Sequence, residues 1–272
     1  MREDRPIEVA GARDRLSSIG RVVMVGSGKG GVGKSVVACG LAISLSQRGY
    51  RTGLLDLDIH GASVPEYLGV GPPVKSSKEG LEPKSSDGLK VMSIGLFTGS
   101  NPVPMRGSEK QNLITLLFGL TNWGELDYLV VDLPPSMGDE LLSAFGLFGR
   151  KSTLILVTTP SPAAVAVVSR LRRLSETENI PVTGVALNMA YMKNGKTKTF
   201  PFGRLDSGVL EQRLKSRIIA EIPLEPMVSA QELGRALSRR ADFSRAFVSI
   251  IRRVQEQSND GDLAHRTSVV GR

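Results

Sequence analysis

The chain has 272 residues and a mass of 29.2 kDa, enough for one large domain with a single core and short for two ordinary ones. Hydrophobic residues at 40%, charged residues at 23%, Gly 30 and Pro 15 exclude a low-complexity chain, while one cysteine, Cys39, and two histidines, His60 and His265, exclude a disulfide framework and a zinc centre of the usual kind. Lys+Arg 35 against Asp+Glu 27 gives a net charge of +8 and a pI near 9.8, which favours polyanions but also suits a phosphate-binding protein with scattered lysines.

Residues 1–18 are mixed in charge and polar, and read as a frayed N-terminal extension with no signal peptide. No run of about 18 apolar residues follows, so the expectation is a cytoplasmic protein that does not span a membrane. Strand-length apolar runs occur at 21–26 (RVVMVG), 52–56 (TGLLD), 128–133 (YLVVDL), 153–159 (TLILVTT), 182–188 (VTGVALN) and 217–222 (RIIAEI). They are continuous rather than alternating and rich in Val, Ile and Leu, the pattern of strands buried on both faces of a parallel sheet. Helical stretches at 34–48, 109–120, 138–148, 162–178 and 231–257 lie between or after them. The fold class is therefore α/β, doubly wound, with a mostly parallel sheet and helices on both faces. Residues 69–87 (GVGPPVKSSKEGLEPKSSD) read as a long surface loop and 258–272 as a frayed tail.

Immediately after the first strand comes Gly28-Lys29-Gly30-Gly31-Val32-Gly33-Lys34-Ser35, which fits GxxxxGK[ST] and opens directly into a helical stretch. The glycines let backbone N–H groups converge on an anion, the helix presents its positive end, Lys34 reaches the β and γ phosphates, and Ser35 ligates Mg²⁺. Asp132 ends the apolar strand of LDYLVVDLPP, where a carboxylate reaches the Mg²⁺ shell through water. Asp56 and Asp58 end the strand TGLLDLD; Asp58 is favoured for orienting an attacking water, and either residue is also able to cap local backbone. Lys29 is a second lysine in the loop, placed to add charge at the phosphates, to serve a neighbouring subunit, or to be solvated.

With KGGVGKS, LLDLDIHGASVPEYLG, MRG, WGELDYLVVDLPPSMGD, VTTPSPAAVA, LNMAYM and AEIPLEP in this order, the chain resembles the Mrp-type iron–sulfur carrier ATPases of the MinD/ParA deviant-Walker class over roughly 19–227. The resemblance implies a single P-loop ATPase domain over 19–257, which would place ATP and Mg²⁺ in a homodimer with Lys29 reaching across the interface. It makes Asp58 the switch I aspartate and 132–139 the Walker B and switch II segment, where Ser136 and Met137 replace the family's small Gly-Thr pair. Asn188 would read adenine, or cap its strand end, and the backbone around Pro223 would line the base.

Family carriers commonly continue after this asparagine into CPxCG, whose cysteines bridge a [4Fe–4S] cluster between subunits. This chain has NMAYMKNGKTKTFPFG there, with Lys193, Lys196 and Lys198 and no thiolate, the usual cluster ligand. Cys39 falls among Val36, Val37, Ala38 and Leu41 and reads as a buried structural residue. The implied function is an ATPase of iron–sulfur cluster assembly or transfer, acting with a cysteine-bearing assembly or client protein. The alternative is a MinD/ParA-like spatial organiser that contacts membrane or DNA. An apolar stripe of Leu233, Leu237, Phe243, Phe247, Ile250, Ile251 and Val254, ringed by arginines, suits docking on the sheet or on anionic lipid.

Overall fold

The computed structural model describes residues 7–59, 61–98, 107–225 and 233–269. They begin with α1 (Ile7–Ser17), β1 (Ile19–Gly26), α2 (Lys34–Ser46), β2 (Thr52–Asp56) and α3 (Val64–Leu68). Four short strands follow, β3 (Ser76–Ser77), β4 (Gly80–Leu81), β5 (Lys84–Ser86) and β6 (Leu89–Ser93), then α4 (Gly95–Thr98) and α5 (Gly107–Leu120). The second half holds β7 (Leu126–Asp132), α6 (Asp139–Phe148), β8 (Ser152–Thr158), α7 (Pro162–Thr177) and β9 (Val182–Leu187). A hairpin of β10 (Met192–Asn194) and β11 (Thr197–Thr199) precedes α8 (Ser207–Leu214), β12 (Ile218–Glu221), α9 (Leu233–Arg239) and α10 (Ala241–Val269).

Eight strands form one sheet in the order β12-β9-β8-β1-β7-β2-β6-β5. All neighbours are parallel except β5, which runs antiparallel to β6 at the edge. Successive residues of β1 serve opposite sides: Val22 and Met24 join one core cluster, Val23 and Val25 the other. That is why residues 22–25 of the strand are apolar without interruption. The side built on Val23 and Val25 is covered by α2, α9 and α10, and the other by α1 and α5 to α8. Because β1 is flanked by β7 and β8, with β2 beyond β7, the connections diverge at its carboxyl end and leave a crevice there.

The C-terminal stripe is settled as a docked surface, since Leu233, Leu237, Phe243, Phe247, Ile250, Ile251 and Val254 are all buried against the sheet and α2. The contact depends on Gly40, where a Cβ would lie 2.3 Å from Cζ of the Phe247 ring. Instead of one helix over 231–257, α9 and α10 are separate, with Arg240 between them; residues 231 and 232 lie outside the described residues.

Three further expectations need correction. The extension is not frayed over its length: residues 7–17 form α1, which buries Ala12 where Gly119 of α5 lets backbones approach, a Cβ there being 3.2 Å from Ala12 N. Lys151 Nζ donates to Leu16 O at 2.5 Å and satisfies its helical C-terminus. The 258–272 segment is likewise not a frayed coil as far as it is described, because α10 continues to Val269. The 69–87 loop carries β3, β4 and β5, and it leads into β6, a strand absent from the sequence reading. Among the described residues no helix is long and apolar enough to cross a membrane.

Candidate functional site

The crevice at the carboxyl end of β1 is filled by the loop 27–33. Gly28, Gly31 and Gly33 take φ of 69°, 80° and 78°, the left-handed region that glycine alone enters without strain. Ser27 Oγ donates to Lys29 O at 2.8 Å, closing the curl, and Val32 is buried beneath it. Around Gly30 and Gly31 nothing lies within 4 Å of where a Cβ would stand, so the loop has an open face. α2 starts at Lys34 and turns its positive end into that opening.

Parallel register places Asp132 beside Val25 of β1 and beside Asp56 of β2, so two carboxylates end adjacent strands. Lys34 Nζ donates to Asp132 Oδ1 at 2.6 Å and Ser35 Oγ donates to Asp132 Oδ2 at 2.5 Å. Asp132 and Lys34 are both buried. Burial raises the Asp132 carboxyl, opposed by the Lys34 charge and by the hydrogen bonds from Lys34 and Ser35. Asp56, fully buried, has no lysine of its own; it accepts from Asp58 N at 3.0 Å and from Ser93 Oγ at 2.9 Å. Burial and the neighbouring Asp132 charge push its carboxyl up to about 7. Asp56 is therefore structural in position, below the opening, whereas Asp58 is half-buried and lines it, with Oδ1 accepting from Gly61 N at 3.0 Å.

A cavity of about 230 Å³ is bounded by Lys29, Gly30, Lys34, Ser35, Asp58 and Pro135, among others, and with Gly31 and Gly33 brings seven predicted site residues to one space. Lys29 is exposed on its rim. Beside it a second cavity, of about 310 Å³, is walled by Asn188, Met189, Pro223, Leu224 and Phe243. Asn188 is buried and does not cap its own strand end. Its Nδ2 donates to Val32 O at 2.8 Å, tying β9 to the phosphate loop. At Gly33 a Cβ would sit 2.2 Å from that Nδ2, so the glycine is demanded by packing as well as by φ.

Sequence reasoning missed Tyr67, Ser63 and Pro135 on the cavity walls, and Ser93 behind Asp56. These belong to α3, its N-terminal approach, the 133–138 turn and β6, and only the fold brings them together. The oxygens of Ser35 and Asp132 meet at the floor of the loop, a hard-donor pair that suits Mg²⁺.

The segment that stands in place of the cysteine motif is the β10–β11 hairpin. Lys193 pairs with Asp242 of α10 at 2.5 Å, Lys198 lies 3.8 Å above the Tyr191 ring, and Lys196 is exposed. Cys39 is fully buried on α2, and burial pushes its thiol well above the usual range. Among the described residues no group of three or more His, Cys, Asp or Glu side chains is arranged to hold a metal. The residues present do not fit an iron–sulfur cluster.

The chain is similar in sequence to known proteins. An iron–sulfur cluster carrier protein of Aquifex aeolicus is 38% identical over 226 residues, 80% of this chain and 61% of the relative, so the chain spans about three fifths of that protein. A cytosolic Fe-S cluster assembly factor NUBP2 homolog of Monosiga brevicollis is 38% identical over 240 residues, covering 85% of this chain and 83% of its own. Among solved structures, a nucleotide-binding protein of Archaeoglobus fulgidus in complex with ADP superposes with a TM-score of 0.71 at 32% identity, over 88% of this chain and 92% of that one. The ParA-class profile described as NUBPL iron-transfer P-loop NTPase matches residues 18–255, a span running from the start of β1 through the phosphate loop and the Asp132 strand into α10. The chain belongs to the NUBPL iron-transfer P-loop NTPase family.

Proposed function

We propose that residues 19–257 act as one Mg-ATP-dependent ATPase domain that works as a homodimer in iron–sulfur cluster assembly or transfer, with the cluster as cargo on another protein's thiols. The observation that carries the ATPase reading is the buried joint of Lys34, Ser35 and Asp132 at the floor of an open glycine loop. An incoming triphosphate competes with Asp132 for the Lys34 ammonium and takes the N–H groups of the loop. Mg²⁺ would be held by Ser35 and, through water, by Asp132, and when bound it neutralises phosphate charge. Asp58 lines the same space and orients the attacking water. Lys29, exposed at the rim, is free to reach the phosphates of a second copy. Asn188 spends one N–H on Val32 O and keeps a second N–H and its Oδ1 for adenine, against the wall that includes Pro223.

The names of the relatives support the iron–sulfur assignment, and the absence of thiols other than Cys39 in this sequence supports the indirect form of it. The lipid-docking alternative loses its main support, because the apolar stripe of α10 from Phe243 to Val254 is buried. Calorimetric titration with Mg-ATP, on wild type and Lys34→Ala, tests the ATPase reading: wild type binds and the variant does not, whereas wild-type affinity in Lys34→Ala refutes it. Anaerobic reconstitution with iron and sulfide tests the cargo reading. It is expected to leave no [4Fe–4S] cluster on the protein, and a cluster that disappears in Cys39→Ser overturns the indirect role.

A further inference from the structure

The two cavities at the candidate site share four residues, Gly31, Gly33, Val36 and Tyr67. One cavity holds the phosphate-binding groups and the other holds Asn188 and Pro223. A nucleotide with its phosphates in the first and its base in the second must cross the shared wall with the group that joins them, its ribose. Two of the four shared residues have no side chain and Val36 is apolar. Tyr67 alone brings a polar side-chain group to the crossing.

The Tyr67 hydroxyl makes no hydrogen bond to any described residue, although the ring is half-buried. Burial pushes the phenol above its ordinary value, so it is a neutral donor at pH 7. Its backbone is held: Tyr67 N donates to Ser63 O at 3.2 Å in α3, a short helix that follows the Asp58–Gly61 turn. A ligand gripped at Tyr67 is thereby gripped on the element that leaves the Asp58 loop.

We infer that Tyr67 is the ribose-contacting residue of the nucleotide site and that its hydroxyl makes the protein distinguish ribonucleotides from deoxyribonucleotides. The inference rests on the ATP reading above. One neutral hydrogen bond is worth about three- to tenfold in affinity. Wild-type protein is therefore expected to bind ATP about three- to tenfold more tightly than 2′-deoxy-ATP or 3′-deoxy-ATP, whichever lacks the contacted hydroxyl. Tyr67→Phe, which keeps the ring and its packing, is expected to bind all three nucleotides alike, with an affinity close to that of wild type for the weaker deoxy analogue.

Equilibrium titrations of the full chain with the three nucleotides decide the matter, with circular dichroism confirming that Tyr67→Phe is folded. Equal binding of all three by wild type, or wild-type discrimination persisting in Tyr67→Phe, overturns the inference while leaving the ATP reading in place. Failure of wild type to bind ATP at all removes the reading itself, and the two failures are told apart in the same titration.

Discussion

The phosphate loop and the β10–β11 hairpin both follow the carboxyl end of a parallel strand, β1 in one case and β9 in the other, yet they satisfy their charges in opposite ways. At the loop, Lys34, Asp132, Asp56 and Ser93 are buried and bonded among themselves. At the hairpin, Lys196 is exposed, Lys193 meets Asp242 at the surface, and Lys198 rests on Tyr191. A change at the first site strands a charge away from water; a change at the second alters a solvated edge, where an ion pair is worth about 0–1 kcal/mol. The contrast separates a floor whose buried charges depend on one another from a solvated hairpin that stands where the resemblance implies a cysteine motif. Asn188, which lies before the hairpin in the chain, ties the end of β9 to the phosphate loop.

The contrast breaks most visibly at Asp132. Asp132→Ala leaves the Lys34 ammonium buried without its partner, and stability in chemical denaturation is expected to fall by about 3–5 kcal/mol. A loss below about 1 kcal/mol would mean that the floor is as tolerant as the hairpin.

A smaller effect comes from Asp56. Its folded-state value of about 7 lies above the ordinary 3.8, so between those limits the folded protein keeps a proton that the unfolded chain has released. This group's contribution is therefore fully present at low pH and is lost as pH rises from about 4 through about 7. Between pH 5 and pH 7 it is expected to fall by about 1–2 kcal/mol, tempered by the two hydrogen bonds that the carboxylate accepts. Denaturation of Asp56→Asn across the same range should lack this slope, and an unchanged slope would move the titrating group elsewhere.

The smallest effect is expected at the hairpin, where Lys196→Ala and Lys198→Ala should each change stability by less than about 1 kcal/mol and leave Mg-ATP affinity as in wild type. A large loss of nucleotide binding in either would join the hairpin to the floor and erase the contrast.

Much of the floor was legible because its chemistry demands residues at fixed spacing. The loop 28–35 and Asp132 are recognisable by the strand before and the helix after, and six of the eight sheet strands fall in strand-length, mainly apolar runs. The two missed sheet strands are the last two on one side: β5, at the edge, is polar, and β6, between β2 and β5, contains Lys90, whose Nζ reaches Trp123 O at 2.6 Å, a partner 33 residues away. α1 escaped because its described burial is slight, Ala12 and part of Leu16, against a helix about 100 residues later. α8 had a local signal that went unread, Asp206 accepting from Val209 N as an N-cap. The grip of Asn188 on Val32 and the place of Tyr67 between two cavities have no local signature, since each joins segments that only the sheet order brings together.

The seat of Phe247 against Gly40 has a consequence in time. α2, which begins with Lys34, hides Val37, Leu41 and Leu45 beneath a helix made about 200 residues later. At a synthesis rate of about 5–20 residues per second, that cover arrives about 10–40 s after α2 itself. For that interval the side of α2 around Gly40 lacks the cover that Phe247 gives it. The cavity walled by Asn188 and Phe243 thus gains its α10 wall last.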